Sequence, residues 1–432
     1  MIFGTDGIRG PFGQAPMDKD TIEKIGLVLG QWLPKDAKIV VGSDTRASCA
    51  NIRQWLLSYL GPVTVLDLGV VPTPVVAFET AARGAHLGIM ITASHNPFQD
   101  NGLKFFDHQG LKVQKAQARE WSNTIEALAD VGPAQPATSQ EVTADFYRNF
   151  IFEHFKPEHF EGMKYAFDLA HGAGSPFIRD MARDLKMDAV FLADEPDGQN
   201  INKDVGALHT QNLQELVKAR QLNMGFAFDG DADRLIVVDG EEVPGDIILY
   251  ALTQILLGEG QAVKKVVGTI MCNMGLEQRL QKDGIELVRS AVGDQNVLKE
   301  LVDNNLVLGG ESSGHLIQRD LFPAGDGWLG ALRIARALKN QPNLVAQARE
   351  EVPLFKTHEK SYRVQRKPPL EEVPELNNYI EELKAKLGDE GRVIMRYSGT
   401  EPKIRFYLEA SDLAPWQDAI ARAEALIVRV LG

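Results

Sequence analysis

The chain has 432 residues, of which 44% are hydrophobic and 24% charged, and its formal net charge is −13. This length exceeds the size at which a single hydrophobic core stops growing, so we expect several domains with separate cores. The acidic balance, with no cluster of lysine and arginine, argues against nucleic-acid binding. No apolar run approaches the ~18 residues of a membrane span, so we expect no membrane partner.

The cellular compartment is suggested by the start of the chain and by its cysteines. The first ten residues contain an acid and three glycines, where a secretory signal would have its apolar stretch. Cys49 and Cys272 are too few for a disulfide framework, and neither has a second cysteine or a histidine at metal-ligand spacing. We therefore expect a cytoplasmic protein.

Apolar runs bounded by Gly and Asp alternate with helical periodicity through most of the chain. This βαβα order predicts an α/β layer architecture. The alternation occurs three times, which predicts three α/β domains. The strands are expected at residues 38–42, 63–68 and 87–91, then 165–169, 224–228 and 235–238, then 265–269 and 306–309, and the first two helices at 21–32 and 52–59.

The C-terminal part of the chain differs in composition. Residues 351–370 are rich in proline and charge, which predicts a linker. Beyond it we expect a small α+β domain. Its elements are a strand at 392–397, a turn at 398–402, a second strand at 403–409 and an amphipathic helix at 415–431.

Ser94 lies in a Thr-Ala-Ser-His-Asn-Pro stretch that follows an apolar strand. This places it at the carboxyl end of a strand, where open α/β sheets bind their ligands. An ordinary loop serine is the alternative, because Ser, Asn and Pro are common turn formers.

The dipeptide Asn101-Gly102 predicts a hairpin turn that returns Lys104 to Ser94. A solvated lysine at a sheet edge is the alternative for Lys104.

Residues 229–234 read Asp-Gly-Asp-Ala-Asp-Arg and are the most specific local signal. Three carboxylates at alternating positions repel one another unless a hard cation lies between them. An EF-hand is excluded, because its sixth and twelfth loop positions hold Arg234 and Gly240 instead of glycine and glutamate. We expect Mg²⁺ rather than Ca²⁺, since few carboxylates combined with a substrate phosphate is the usual magnesium environment.

Residues 310–314 read Gly-Glu-Ser-Ser-Gly and formally match the nucleophile elbow of serine hydrolases. In a nucleophile elbow a helix begins directly after the serine turn. The sequence that follows here is rich in turn formers, which argues against a hydrolase. If this stretch is a binding loop instead, Glu311 and Ser313 offer hydrogen-bond acceptors to sugar hydroxyls. His315 then offers a proton carrier near neutral pH.

The C-terminal turn at 398–402 is flanked by Arg396 and Arg405. Hydroxyls, backbone amides and two guanidiniums near one point suit a dianionic phosphate. A surface hairpin is the alternative.

Five motifs together resemble the α-D-phosphohexomutase family in order and spacing, from end to end of the chain. The opening motif and residues 198–202, followed by 206–209, are most similar to the glucosamine branch of that family. The five motifs are residues 3–10, 92–97, 229–234, 309–315 and 396–402.

The resemblance implies an α/β protein of four domains around a central active-site cleft. Three domains would have a mixed α/β sheet, and a smaller C-terminal α+β domain would supply a phosphate-binding loop. We expect boundaries at 1–146 with the phosphoserine loop, 147–243 with the metal loop, 244–357 with the sugar loop and 358–432 with the phosphate loop.

The resemblance also assigns residues to roles. Ser94 would carry a phosphate, and an oxygen of that phosphoserine would join Asp229, Asp231 and Asp233 around one Mg²⁺ per chain. Glu311 and Ser313 would bind sugar hydroxyls. Further catalytic residues would be Arg9, His95, Lys104, Arg234 and His315. The phosphate that is not transferred would be bound by Arg396, Ser398, Gly399, Thr400 and Arg405.

The implied activity is conversion of glucosamine 6-phosphate to glucosamine 1-phosphate through a bisphosphorylated intermediate, with a hexose bisphosphate as activator. Lys104 or His315 would relay the proton of the sugar hydroxyl. The expected partner is a small sugar phosphate, and we expect a monomer or a homodimer.

Two other functions remain as alternatives. Ser312 stands where the glucosamine branch usually has Gln and the mannose/glucose branch Met, so a phosphomannomutase or phosphoglucomutase is the first alternative. His171 stands where the family more often has Asn, in a structural turn. The second alternative is a non-catalytic sugar-phosphate-binding protein, but such a protein has no need of Ser94 beside three metal-binding carboxylates.

Overall fold

In a computed structural model of the protein, residues 2–4, 6–398 and 402–432 are described. The chain forms two compact units, Met1–Met271 with Leu287–Arg349, and Cys272–Glu286 with Glu350–Gly432. Within the described ranges, no helix combines the length and apolar character needed to cross a membrane.

The first unit begins with a six-stranded mixed sheet and its helices. Its elements are β1 (Ile8–Pro11), α1 (Lys19–Trp32), β2 (Lys38–Ser43), α2 (Cys49–Leu57), β3 (Thr64–Val70), α3 (Thr73–Ala82), β4 (Leu87–Ile91), β5 (Asp100–Asp107), α4 (Lys115–Ala127), β6 (Thr138–Glu141) and α5 (Asp145–His154). The strand order is β1-β5-β4-β2-β3-β6. Strands β2, β3, β4 and β6 are parallel, whereas β5 is antiparallel to both of its neighbours. The carboxyl ends of β2 and β4 therefore lie at the same edge of the sheet.

Strand β5 corrects the predicted hairpin turn. Asn101 and Gly102 lie inside this strand and pair with Gly10 and Arg9 of β1. Gly102 is needed there because a side chain would lie 2.4 Å from Ile8 O and 2.6 Å from Thr92 O. The close approach of neighbouring strands, rather than a turn, explains this glycine.

A second mixed sheet follows in the first unit. Its elements are β7 (Lys164–Asp168), α6 (Gly174–Asp184), β8 (Asp188–Leu192), α7 (Gln211–Arg220), β9 (Met224–Phe228), β10 (Leu235–Val238) and β11 (Glu242–Val243). The strand order is β11-β10-β9-β7-β8. Its core is aromatic: the ring of Phe167 lies 5.5 Å from that of Phe226, 5.8 Å from that of Phe191 and 5.5 Å from that of Trp328. This packing fixes β9, the strand that leads into the carboxylate loop.

The third sheet has four strands in the order β13-β12-β14-β15. Strand β14 is parallel to β12 and antiparallel to β15. The elements of this region are α8 (Gly245–Gly258), β12 (Lys265–Thr269), α9 (Met274–Lys282), β13 (Glu286–Ser290), α10 (Asp294–Asp303), β14 (Leu308–Gly310), β15 (Leu316–Gln318), α11 (Gly327–Asn340) and α12 (Leu344–Glu351).

The second unit contains a three-stranded antiparallel sheet in the order β16-β18-β17. Its elements are β16 (Lys356–Arg363), α13 (Pro374–Leu387), β17 (Gly391–Tyr397), β18 (Lys403–Ala410) and α14 (Gln417–Leu431). The prediction of a linker at 351–370 was wrong for its centre, because β16 pairs with β18 along its whole length. Strand β16 lies at a half-solvated sheet edge and contains many charged residues, so its composition resembles that of a linker.

Helix α9 belongs to the second unit although it lies far from the rest of that unit in sequence. The side chain of Asn273 donates to Phe355 O at 3.0 Å, and Met274 N donates to Glu409 Oε1 at 2.7 Å. A side chain at Gly275 would lie 2.1 Å from Pro353 O. The backbone before α9 is therefore enclosed by residues from the end of the chain.

The predicted fold class is confirmed. Three mixed α/β sheets are followed by a smaller α+β domain with an antiparallel sheet. The domain boundaries at 146, 243 and 357 stay predictions.

Candidate active site

Ser94 lies in the loop between β4 and β5, and 1% of its surface is exposed. Its backbone is left-handed, with φ of 53°. Its hydroxyl donates to Asp229 Oδ2 at 2.6 Å, and its Oγ lies 3.3 Å from His95 Nδ1. The serine predicted from the sequence therefore contacts the predicted metal loop directly, although Ser94 and Asp229 belong to different sheets.

The three carboxylates of Asp229, Asp231 and Asp233 lie in the loop between β9 and β10. Each offers an oxygen, and these oxygens lie within 4.8 Å of one another. All three side chains are buried. Gly230 brings this loop against the serine loop, because a side chain there would lie 2.6 Å from Ser94 O.

The carboxylate loop fits a small divalent cation. Asp231 Oδ1 is buried and has no hydrogen-bond partner among the described residues. Burial, reinforced by the charges of Asp233 and Asp231, raises the pKa of Asp229 to about 7. A hard cation with oxygen ligands relieves the repulsion between carboxylates held this close together. The donor set therefore suits Mg²⁺.

Lys104 lies on β5 with its ammonium between two of these carboxylates. Its Nζ lies 2.6 Å from Asp231 Oδ2 and 2.6 Å from Asp233 Oδ2. Burial alone would lower the pKa of Lys104, but Asp231 and Asp233 raise it well above its ordinary value. Lys104 is therefore a buried cation, which excludes the alternative of a solvated edge lysine.

Two arginines predicted to be catalytic are paired with carboxylates, Arg9 with Asp6 and Arg234 with Asp229. The guanidinium of Arg9 is bound to Asp6, whose carboxylate also lies 3.6 Å from Lys104 Nζ. Arg234 Nε lies 3.9 Å from Asp229 Oδ2. Burial, together with the charges of Arg234 and Arg9, lowers the pKa of His95 to about 4. His95 is therefore a neutral imidazole beside the serine hydroxyl at neutral pH.

The predicted sugar loop connects β14 to β15. His315 Nε2 lies 3.0 Å from Asp233 Oδ1, and His315 Nδ1 lies 3.4 Å from Glu311 Oε2. Although burial opposes protonation, the Asp233 carboxylate raises the pKa of His315 to about 10. Ser312 and Ser313 are exposed at the tip of the loop. A strand follows this loop, which is inconsistent with a hydrolase elbow.

Glu311 is held in place by the third sheet domain. Its Oε1 accepts a hydrogen bond of 2.9 Å from Gly293 N, immediately before α10. His315 lowers the pKa of Glu311 against the opposing effect of burial. An ionised Glu311 beside the exposed Ser313 can accept hydrogen bonds from hydroxyl groups.

Arg396 and Arg405 lie directly opposite each other on β17 and β18 of the second unit. Burial and the charge of Arg405 lower the pKa of Arg396. Like charges at facing positions of a sheet are destabilising, so this pair suits a bound anion. Ser398 O accepts a 2.7 Å hydrogen bond from Lys367 Nζ, which adds a third cation. Gly399 and Thr400 lie outside the described residues.

Two residues that hold the serine loop, Arg46 and Asn202, were not predicted from the sequence. Arg46, which follows β2, donates to Ser94 O at 2.9 Å and to Asn96 O at 2.8 Å. Asn202 donates to the same two carbonyls at 2.9 Å and 3.0 Å. The available signal was the polar triplet Asp44-Thr45-Arg46 at the end of an apolar strand, where parallel sheets place functional side chains.

Comparison with known families matches most of the chain in four consecutive segments. The matched families are described as Phosphoglucomutase/phosphomannomutase, alpha/beta/alpha domain I at residues 1–131, domain II at 144–242, domain III at 244–355, and C-terminal domain at 359–425.

Similar proteins and structures extend these matches. A phosphoglucosamine mutase of Albidiferax ferrireducens is 39% identical over an alignment of 425 positions, which covers 95% of this chain and 95% of that protein. One of Geobacillus thermodenitrificans is 37% identical over an alignment of 443 positions, which covers 100% of this chain and 99% of that protein.

Among solved structures, a phosphoglucomutase/phosphomannomutase family protein of Burkholderia thailandensis has a TM-score of 0.82 at 24% identity, covering 100% of this chain and 98% of that one. N-acetylphosphoglucosamine mutase of Aspergillus fumigatus, solved with GlcNAc-6P and magnesium, has a TM-score of 0.70 at 16% identity, covering 100% and 96%. At these identities the structural likeness supports the fold. With four domain matches in order and phosphoglucosamine mutases matched along nearly their whole length, the chain belongs to the α-D-phosphohexomutase family of phosphoglucomutases and phosphomannomutases.

Proposed function

We propose that the protein interconverts glucosamine 6-phosphate and glucosamine 1-phosphate by means of a phosphate carried on Ser94. The observation that carries this proposal is the 2.6 Å contact between Ser94 Oγ and Asp229, within a carboxylate group that suits Mg²⁺. The full-length likeness to phosphoglucosamine mutases supports the choice of sugar. A phosphomannomutase or phosphoglucomutase activity is the alternative.

Asp229, Asp231 and Asp233 would hold one Mg²⁺ together with an oxygen of the phosphoserine. When bound, Mg²⁺ withdraws charge from the phosphoryl group as it is transferred. Arg9, which is bound to Asp6, and Arg234, which lies 3.9 Å from Asp229 Oδ2, offset negative charge on the transferring group. A hexose bisphosphate restores the phosphate of Ser94 when that phosphate has been lost, which is its role as activator.

The transfer breaks the bond between phosphorus and Ser94 Oγ and forms a bond between phosphorus and the free hydroxyl oxygen of the sugar. Lys104 or His315, both of which contact Asp233 and are protonated at neutral pH, gives its proton to the departing Ser94 Oγ and takes up the proton of the sugar hydroxyl. The product is a bisphosphate. After it turns over, its other phosphate returns to Ser94 and a proton returns to the sugar oxygen, so the net reaction is an isomerisation.

Glu311 and Ser313 bind the sugar hydroxyls in this proposal, and Arg396, Ser398 and Arg405 bind the phosphate that is not transferred. The substrate is a small sugar phosphate free in the cytoplasm. Neither a nucleic acid nor a membrane takes part in the reaction.

The first prediction concerns the phosphate on Ser94. Purified active protein should carry one phosphate on this residue, because a phosphoserine supplies the transferable group whereas a free serine hydroxyl is a poor nucleophile. Intact mass and peptide mapping measure it. Ser94→Ala should reduce mutase activity to background, whereas Ser139→Ala, at an exposed serine of the same sheet, should retain it. Full activity of a preparation without the phosphate would exclude the covalent route.

The second prediction concerns Mg²⁺ affinity and pH. Because the pKa of Asp229 is about 7, a proton competes with the metal below that pH. In metal-stripped, dephosphorylated protein, the Kd for Mg²⁺ should rise by up to about tenfold for each pH unit below ~7 and level off above it. Isothermal titration calorimetry in buffers of different ionisation heat should detect the released proton. A Kd independent of pH between about 6 and 8 would contradict this prediction.

The third prediction concerns the arginine pair of the second unit. Arg405→Met should lower kcat/KM by about ten- to a hundredfold, since charge-assisted hydrogen bonds contribute about 1.5–3 kcal/mol. It should not lower the Tm, because it removes a like-charge contact with Arg396. Phosphorylation of Ser94 should persist. The matched control is Arg429→Met, at an exposed arginine of the same unit, and an unchanged kcat/KM in Arg405→Met would remove this pair from the site.

The fourth prediction concerns the sugar. Glucosamine 6-phosphate should be preferred over glucose and mannose 6-phosphates by about ten- to a hundredfold in kcat/KM. These sugars differ at carbon 2, where a few hydrogen bonds of about 1 kcal/mol each decide the selectivity. The three substrates should be compared with Mg²⁺ and a bisphosphate activator. Equal or better turnover of mannose or glucose phosphate would favour the alternative and leave the mutase assignment standing.

A further inference from the structure

Asp44 and Arg46 form a buried ion pair at the carboxyl end of β2. Arg46 Nε lies 2.9 Å from Asp44 Oδ2, and both side chains are 0% exposed. Removing two charges from water is costly, and a buried pair is retained only when further hydrogen bonds satisfy both partners. The mechanism proposed above uses neither residue. The position of their remaining hydrogen bonds therefore indicates what the pair does.

The guanidinium of Arg46 donates all its remaining hydrogen bonds to one loop. Its acceptors are the backbone carbonyls of Ser94 at 2.9 Å, Asn96 at 2.8 Å, Asp100 at 3.0 Å, and Pro97. A planar fork of donors reaches several fixed carbonyls at once, whereas the three rotatable donors of a lysine ammonium do not reproduce that geometry. Arg46 therefore holds the backbone from the carbonyl of the serine onward.

The same ion pair also reaches the amide of Ser94. Asp44 Oδ2 accepts a hydrogen bond of 2.7 Å from the hydroxyl of Thr92, and Thr92 Oγ1 accepts one of 2.9 Å from Ser94 N. Asn202 completes the arrangement from the second sheet domain by donating to Ser94 O and Asn96 O. We call Arg46 and Asn202 the carbonyl clamp.

Ser94 needs such a clamp because its backbone is unfavourable for a residue with a side chain. Its φ of 53° is left-handed, a conformation that costs free energy and persists only where the surroundings impose it. Phosphoryl transfer in turn depends on holding donor and acceptor in line, and a displacement of about 1 Å costs on the order of a hundredfold in rate.

We propose that Arg46 and Asn202 are positioning residues for phosphoryl transfer, which hold the Ser94 loop by its carbonyls so that Ser94 Oγ stays beside the loop that carries Asp229. This inference rests on the proposed phosphoserine function. Neither residue touches the sugar in this role. Their loss should therefore lower kcat and leave KM unchanged.

Two variants test the clamp. Arg46→Lys keeps the buried charge but loses the fork, and it should lower kcat on the order of a hundredfold. Asn202→Gly retains the left-handed backbone of residue 202, whose φ is 59°, and removes the amide. It should lower kcat by about tenfold, because Arg46 still holds the carbonyls. The ³¹P NMR signal of phospho-Ser94 should shift or broaden in both.

The matched control is Arg53→Lys. Arg53 is a partly buried arginine of the same sheet domain that contacts Asp67 at 3.1 Å and Ser43 Oγ at 3.0 Å. It should lower the Tm without changing kcat or the ³¹P signal. An equal loss of kcat in this control would show that the clamp variants act through general destabilisation, and would overturn the inference.

The outcomes separate the inference from the function on which it rests. If wild-type protein carries phosphate on Ser94 and folded Arg46→Lys or Asn202→Gly retains full kcat, the clamp is wrong and the phosphoserine route stands. If Arg46→Lys does not fold, Asn202→Gly alone decides. If active wild-type protein carries no phosphate on Ser94, the proposed function fails first and the clamp fails with it.

Discussion

Repulsion among three buried carboxylates is the constraint on which the rest of the site depends. Asp229, Asp231 and Asp233 present oxygens within 4.8 Å of one another. Two like unit charges roughly 4 Å apart near a protein surface repel each other by about 4 kcal/mol. Three ionised carboxylates at this spacing therefore need cations beside them. Lys104 and His315 each contact members of this group, and their pKa values rise because of it. A strand of the first sheet and a loop of the third therefore supply the cations that the carboxylates after β9 need.

Close backbone approach is the second requirement, because loops from separate sheets must meet within hydrogen-bond distance. Gly230 lets the carboxylate loop lie against Ser94 O. Gly245, at the start of α8, similarly leaves space for Ser312, since a side chain there would lie 2.5 Å from Ser312 O. In each case the glycine is explained by a neighbouring loop, so its role is visible only once the sheets are assembled.

Local motifs could be predicted from the sequence because each depends on its own strand and loop. Ser94 and the carboxylate loop follow apolar strands, and both were assigned before their contact was known. The carbonyl clamp was missed because it joins Arg46 to a loop about fifty residues away and Asn202 to one more than a hundred residues away. The prediction of a turn at Asn101-Gly102 was wrong for a related reason, because pairing with β1 outweighs the local turn preference of these residues. The facing positions of Arg396 and Arg405 likewise required the strand register.

The discontinuous second unit has a consequence for how the chain acquires its structure. Synthesis proceeds from the N-terminus, so α9 leaves the ribosome before the strands that complete its unit. Until Pro353, Phe355 and Glu409 have been synthesised, the segment around Asn273 and Met274 cannot make these particular contacts. A nascent chain that ends within the third sheet therefore exposes one helix of a unit that does not yet exist. The C-terminal unit can close only after Glu409 has been synthesised, more than a hundred residues after α9.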